Sequence, residues 1–127
     1  MNVLILEDSK SRQRDFRSNL PWATIVETAE SCIKRLQKED WDLVFLDHDL
    51  GGEIYVDATN TNTGSEVVRW ICGNNPKIKK IVVHSLNDEA AYHMVVDLKM
   101  ANYDAEAIPF MCLEFELYQA MKYESQT

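Results

Sequence analysis

The sequence predicts an α/β fold of three layers, a doubly wound (βα)5 domain with a five-stranded parallel sheet. Two observations predict it. Short apolar runs with the length of buried strands recur along the chain, and a segment with the apolar spacing of an amphipathic helix follows each of them. Strands that alternate with helices form a parallel sheet with right-handed crossovers, and 2-1-3-4-5 is a common order for five strands.

The first half of the chain is predicted to hold three strands and two helices. In order they are a strand at 2–6, a helix through about Asn19, a strand at 23–28, a helix at about 30–39 and a strand from Asp42. Asp8 or Ser9 can cap the first helix through a side-chain oxygen. Pro21 ends that helix, because proline cannot continue it.

The second half is predicted to hold three helices and two strands. In order they are a helix that opens at Thr63, a strand at 79–83, a helix capped by Asn87, a strand at 105–108, and a last helix that buries Leu113, Leu117, Ala120 and Met121. The sequence Thr63-Gly64-Ser65-Glu66 fits a capping box. The connection before it is longer than most βα loops, and Ile54–Val56 within it is interpreted as a small hairpin or flap.

Length and composition indicate one domain, residues 1–127, that is large enough to bury a core without disulfides. Cysteines at 32, 72 and 112 suit neither a disulfide framework nor a zinc site, so we expect core residues in a reducing compartment. No apolar run approaches the ~20 residues of a membrane span. The expected location is cytoplasmic, and the sequence does not indicate an oligomeric state.

The net charge restricts the partners. Thirteen Lys and Arg stand against 21 Asp and Glu, a formal charge of −8, so the whole molecule repels nucleic acid backbones and anionic membranes. No broad nucleic-acid surface is available in this composition. A phosphorylated partner must be bound locally, and the expected partner is a small phosphorylated substrate.

Polar side chains stand where three of the predicted strands end. Glu7-Asp8 follow the first strand, Asp47-His48-Asp49 the third and His84-Ser85 the fourth. In the order 2-1-3-4-5 these strands are neighbours, so their polar ends converge on one crevice at the switch point of the sheet. Side-chain alternation should point Asp47 and Asp49 one way and His48 the other.

Each of these residues also has a purely structural interpretation. Asp8 can be a helix cap, Asp49 can form a turn with Gly51-Gly52, and His84 can be a core histidine. Thr63 and Asn87 can be helix caps, and Ser85 can bond to the adjacent backbone. The convergence of all three strand ends favours a functional site.

Over nearly its full length the chain resembles a two-component receiver domain. The resemblance lies in the acidic pair Glu7-Asp8, in Asp47 within FLDHDL, in Gly64 at the start of the third helix and in Ser85 after the fourth strand. It implies that Glu7, Asp8 and Asp47 bind Mg²⁺ or Mn²⁺ and that Asp47 accepts a phosphoryl group. Three carboxylates at adjacent strand ends would also provide the oxygen ligands that Mg²⁺ prefers.

The chain departs from receivers at the fifth strand, where receivers carry a lysine before proline and this sequence has Ile108-Pro109. DHDLG, NTG and HSLN more closely resemble a divergent receiver-like family with a cyclic-phosphate-processing role. That resemblance implies catalytic residues His48, His84, Asp47 and Asp49, and substrate-binding residues Ser85, Thr63, Gly64 and Asn87.

Three functions follow as hypotheses. The first is a phosphoesterase that opens a small cyclic phosphate of nucleotide or RNA-terminal type, in which two histidines exchange protons with water and with the leaving oxygen. The second is a signalling domain that is phosphorylated on Asp47. The third is a binding or decoy protein that keeps the fold without the chemistry. The extra histidines and the absent lysine favour the enzyme.

Overall fold

The computed structural model describes residues 1–50, 61–113, 117–120 and 122, and in them five strands alternate with four α-helices. The strands are β1 (Val3–Leu6), β2 (Thr24–Val26), β3 (Trp41–Leu46), β4 (Ile78–Val83) and β5 (Ala105–Ala107). The helices are α1 (Lys10–Asn19), α2 (Ala29–Lys38), α3 (Gly64–Asn74) and α4 (Asp88–Met100). A 3-10 helix spans Phe110–Cys112, and residues 117–120 are helical.

The sheet has the order β2-β1-β3-β4-β5, and every neighbouring pair is parallel. The predicted fold class and strand order are therefore confirmed. The flap interpretation of Ile54–Val56, the turn at Gly51-Gly52 and the burial of Met121 lie outside the described residues.

Helices cover both faces of the sheet, as a doubly wound fold requires. On one face Leu4, Leu6, Val44, Leu46, Ile81 and Val83 pack with buried residues of α2, α3 and α4. On the other face Val3, Ile5, Leu43, Phe45 and Val82 pack with α1 and with Leu113, Leu117 and Ala120. The predicted burial of Leu113, Leu117 and Ala120 in the C-terminal segment is confirmed.

Short polar side chains start the helices at the expected places. Ser9, and not Asp8, caps α1 by accepting the Arg12 N–H, and Thr63 caps α3 by accepting the Glu66 N–H at 3.3 Å. The Glu66 carboxylate forms an ion pair with Arg69.

One expectation about the cysteines is wrong. Cys32 is fully buried in the core, but Cys72 is half-buried and Cys112 is exposed in the 3-10 helix.

No helix in the described part of the chain is long and apolar enough to cross a membrane.

Candidate active site at the ends of β1, β3 and β4

Three buried side chains form one row across the carboxyl ends of the central strands. Ile5, Phe45 and Val82 are cross-strand neighbours, and two residues further along each strand come Glu7, Asp47 and His84. Backbone bonds continue the ladder past the strand ends: the Asp47 N–H donates to Leu6 at 3.2 Å, and the His84 N–H donates to Leu46 at 2.9 Å. Because side chains alternate along a strand, the three residues share one face of the sheet.

His84 is held between a carboxylate and a cluster of aromatic rings. Its ring is 0 % exposed, and its Nε2 lies 3.1 Å from Glu7 Oε1. The rings of Phe16, Phe45 and Phe110 surround it at centroid distances of 5.4, 6.3 and 6.3 Å. Burial lowers the pKa of His84 and outweighs the opposing effect of Glu7, so the neutral imidazole donates its Nε2–H to the carboxylate.

Glu7 is a fully buried carboxylate with several donors around it. It accepts the Ser9 N–H at 3.1 Å, and Arg12 Nη1 lies 3.7 Å from its Oε1. Burial by itself would raise the pKa of Glu7, but the His84 donor, the Ser9 N–H and the Arg12 charge together lower it. Gln13, also buried, donates to the Glu7 carbonyl at 2.7 Å and fixes the backbone there. Glu7 is therefore the ionised member of the row.

Asp47 is the protonated member of the row near neutral pH. Burial and, after it, the negative charge of Glu7 raise the pKa of Asp47 to about 8. The side chain is 5 % exposed, whereas Glu7 and His84 are completely buried. Within the row, Asp47 is the most exposed residue.

A second imidazole–carboxylate pair lies just past the end of β3. His48 Nδ1 is 2.9 Å from Asp49 Oδ1, and Asp49 forms an antiparallel bridge with Thr63. Since Asp49 accepts a hydrogen bond when it is ionised, we assign the His48 proton to Nδ1. The buried Nε2 atom then carries a lone pair, and it has no hydrogen-bond partner among the residues that the structure describes.

Gly64 allows α3 to approach the site backbone. A Cβ at this position would lie 2.3 Å from the Asp47 carbonyl oxygen and 2.7 Å from Met94 Cε. The Gly64 N–H donates to the His48 carbonyl at 3.0 Å. Only a residue without a side chain fits this contact between the start of α3 and the end of β3.

Three residues that we expected to bind substrate have local hydrogen bonds. Thr63 caps α3, and Asn87 caps α4 by accepting the Ala90 N–H at 3.1 Å. Ser85 Oγ accepts the Asn87 N–H at 3.0 Å. These are the structural alternatives that the sequence offered for these residues. Ser85 is 8 % exposed at the end of β4, so contact with a ligand stays a prediction.

The structure groups the potential metal ligands differently from the sequence prediction. In the part of the chain that it describes, Glu7, Asp47 and His84 each offer an atom within 4.8 Å of the others, and Asp8 is not part of this group. Two carboxylates and one imidazole fit a divalent ion, and the nitrogen suits Mn²⁺ better than Mg²⁺, which prefers oxygen ligands. A cation would also relieve the repulsion between the two carboxyl groups.

Sequence reasoning missed two contacts in this site. It treated Glu7 as a metal ligand only, although the same carboxylate orients His84. It also missed Arg12, whose guanidinium lies beside Glu7 and above the ring of Phe110, with Cζ 4.8 Å from the ring centroid. The available signal was the position of Arg12 in the first turn of the helix that follows the Glu7-Asp8 pair.

The sheet order and the polar strand ends define a receiver-like α/β domain. The signal receiver domain of a protein described as a Luxo repressor from Vibrio parahaemolyticus has 19 % identity and a TM-score of 0.64, over 98 % of this chain and 92 % of that one. A CheY-like response regulator receiver domain protein from Methanospirillum hungatei JF-1 has 16 % identity and a TM-score of 0.60, over 98 % and 96 % of the two chains.

A third similar structure is a response regulator from Burkholderia pseudomallei with a phosphorylated aspartic acid, a calcium ion and citrate. It has 15 % identity and a TM-score of 0.59, over 98 % of this chain and 73 % of that one. The chain belongs to the cyclic-phosphate processing receiver domain family, whose family model matches residues 2–100. A comparison with curated protein sequences gives no significant match.

Proposed function

We propose that the protein is a phosphoesterase that opens a small cyclic phosphate by acid–base catalysis. The supporting observation is the protonation state of the row: Asp47, whose pKa is about 8, lies beside the ionised Glu7 and is the most exposed member of the row. A carboxylic acid that keeps its proton at neutral pH can give it to a leaving oxygen.

Ring opening needs one base and one acid. A water oxygen bonds to phosphorus while its proton moves to the base, and the ester P–O bond breaks while the leaving oxygen takes a proton from the acid. We assign the acid role to Asp47. His48 is the base, because Asp49 holds its Nδ1 and the lone pair on Nε2 is the one that can accept a proton.

Glu7 and His84 are positioning residues in this proposal. They are hydrogen-bonded to each other, and they act on the substrate through Asp47. The negative charge of Glu7 helps to keep Asp47 protonated, and the Nε2–H of His84 holds Glu7 in place.

The test is ³¹P NMR of the protein with 2′,3′-cyclic and 3′,5′-cyclic nucleotides and other small cyclic phosphates. We expect Asp47→Asn and His48→Gln each to lower the rate by on the order of 10² to 10⁴, the scale of general acid–base catalysis. His93→Gln is the matched control, because His93 is exposed on α4, and it should retain full activity. The hydrolase proposal fails if no cyclic phosphate is opened, or if both site variants turn over at the wild-type rate.

A second candidate function is phosphorylation of Asp47, as in the response regulator with a phosphorylated aspartic acid. It is favoured by the metal-capable group Glu7, Asp47 and His84. A carboxyl group that binds a cation is ionised. A divalent ion bound to Asp47 would therefore displace its proton and turn this residue from an acid into a nucleophile. The two candidates therefore predict opposite effects of metal.

The same NMR experiment separates them. The hydrolase should work in EDTA and be inhibited by Mn²⁺, because the ion displaces the proton of Asp47. A phospho-acceptor should instead react with acetyl phosphate only when the metal is present, and it should give an acyl phosphate signal that Asp47→Asn abolishes. Acyl phosphate formation without any ring opening would favour the second candidate.

A further inference from the structure

We propose that Arg12 is the residue that binds the phosphate oxygens of the substrate. The inference rests on the proposed function and names the group that offsets the anion's charge. The need for such a group is plain, since the chain has a net charge of −8 and two carboxyl groups of the site lie within 4.8 Å of each other. A phosphate that approaches this crevice requires a cation close by.

The guanidinium of Arg12 lies at the edge of the row. Its Nη1 is 3.7 Å from Glu7 Oε1, and its Cζ is 4.8 Å from the centroid of the Phe110 ring. The side chain is 21 % exposed, so it reaches solvent while Glu7 does not. Contact with an aromatic face limits the rotation of the planar group, which lowers the entropy cost of using it.

Among the residues that the structure describes, none accepts a hydrogen bond from this guanidinium. The separation of 3.7 Å from Glu7 is too long for a hydrogen bond, and the contact with Phe110 is made through Cζ, which lies over the ring. A guanidinium has five N–H donors in a planar fork that matches two oxygens of a phosphate. A purely structural arginine that served Glu7 would be expected to form a short bidentate pair with it.

The charge of Arg12 also reaches the other members of the row. It opposes the rise in the pKa of Asp47 and adds to the lowering of the pKa of His84. Both Arg12 and Asp47 lie close to Glu7, with Arg12 Nη1 at 3.7 Å from Glu7 Oε1 and an Asp47 oxygen within 4.8 Å of the Glu7 carboxylate, so an anion bound to Arg12 would approach the row that holds the acid.

The experiment measures binding and turnover separately. Inorganic phosphate is titrated into the wild type, Arg12→Lys, Arg12→Met and the control Arg14→Met, with calorimetry as the readout. Arg14 is exposed on the same helix, so its variant removes an equal charge away from the site. We expect phosphate affinity to fall roughly 10- to 100-fold in Arg12→Met, less in Arg12→Lys, and not in Arg14→Met.

Turnover of the cyclic substrate gives the second readout, and Arg12→Met should raise its KM. Phosphate binding that depends on Arg12 without any turnover would support the anion site and overturn the proposed reaction. Unchanged phosphate affinity in Arg12→Met would overturn the inference and leave Arg12 as a neighbour that only stabilises Glu7. Absence of phosphate binding to the wild type at millimolar concentration would overturn it as well.

Discussion

The protonated state of Asp47 has a measurable consequence for stability. Asp47 has a pKa of about 8 in the folded protein and the ordinary value of 3.8 when unfolded. At pH values between 3.8 and 8 the folded state holds one proton more than the unfolded state. The stability that Asp47 contributes is therefore fully present below about pH 3.8 and is lost as the pH rises toward 8. The slope is about 1.4 kcal/mol per pH unit, and the loss at pH 7 is about 4 kcal/mol as an upper limit, because the site can relax around the charge.

We expect Asp47→Asn to remove this loss, because an amide keeps the shape of the side chain and does not ionise. Urea unfolding in EDTA from pH 5 to pH 8 should show the variant gaining on the wild type as pH rises. The difference between the two proteins isolates Asp47, since the opposite pH effect of the buried His84 is common to both. Asp15→Asn on the exposed side of α1 is the control and should run parallel to the wild type. A constant difference between Asp47→Asn and the wild type across this range would refute the raised pKa.

Three further outcomes are expected. Gly64→Ala should lower the free energy of unfolding by about 1 to 3 kcal/mol, because the added Cβ overlaps the Asp47 carbonyl. Gly73→Ala is the control, and it should raise the free energy of unfolding by up to about 1 kcal/mol, because its Cβ would meet nothing within 4 Å. Equal effects of the two substitutions in urea unfolding would contradict the contact between Gly64 and Asp47. His84→Phe should cost about 1.5 to 3 kcal/mol at pH 7, because it leaves Glu7 without its imidazole donor, and a stability equal to the wild type would exclude that pairing. Millimolar Mn²⁺ should raise the urea midpoint of the wild type and not that of Asp47→Asn, and an equal rise in both would place the ion elsewhere.

The sequence was sufficient for the fold and for the convergence of the polar strand ends. Buried runs such as Val3–Leu6 and amphipathic segments such as Asp88–Met100 differ in period, and that difference is visible without coordinates. The strand order followed from the alternation of elements, and the order brought the polar strand ends together. These inferences need only local pattern and general rules of topology.

The composition of the site was harder to predict, because it depends on which face each side chain takes. Two polar residues follow β1, and two follow β4. Only Glu7 and His84 continue the face of Ile5, Phe45 and Val82, whereas Asp8 and Ser85 belong to the alternate positions. The period of two along a strand carries this information, but using it requires the register between strands, which the sequence does not give.

The contact of Arg12 could not be predicted for a different reason. It depends on how α1 is rotated about its axis and on where Phe110 lies after β5, and both are set by packing between distant segments. A receiver would carry a lysine before the proline at this strand end, and here the chain has Ile108. The guanidinium above Phe110 brings a cation to the same strand end from the opposite end of the sequence.

The two candidate functions differ in one physical quantity, the charge of Asp47 when the phosphate arrives. With Glu7 ionised beside it and no cation in the row, Asp47 keeps its proton, and a protonated carboxyl group is a poor nucleophile but a competent acid. A divalent ion reverses this, because ligation ionises the carboxyl group. The imidazole of His84 occupies one corner of the potential metal group and gives its Nε2 proton to Glu7, so an ion that used this nitrogen would first have to displace that hydrogen bond. In our proposal His84 thereby biases the row toward the proton and against the metal, and for this reason we place hydrolysis of a cyclic phosphate ahead of storage of a phosphoryl group on Asp47.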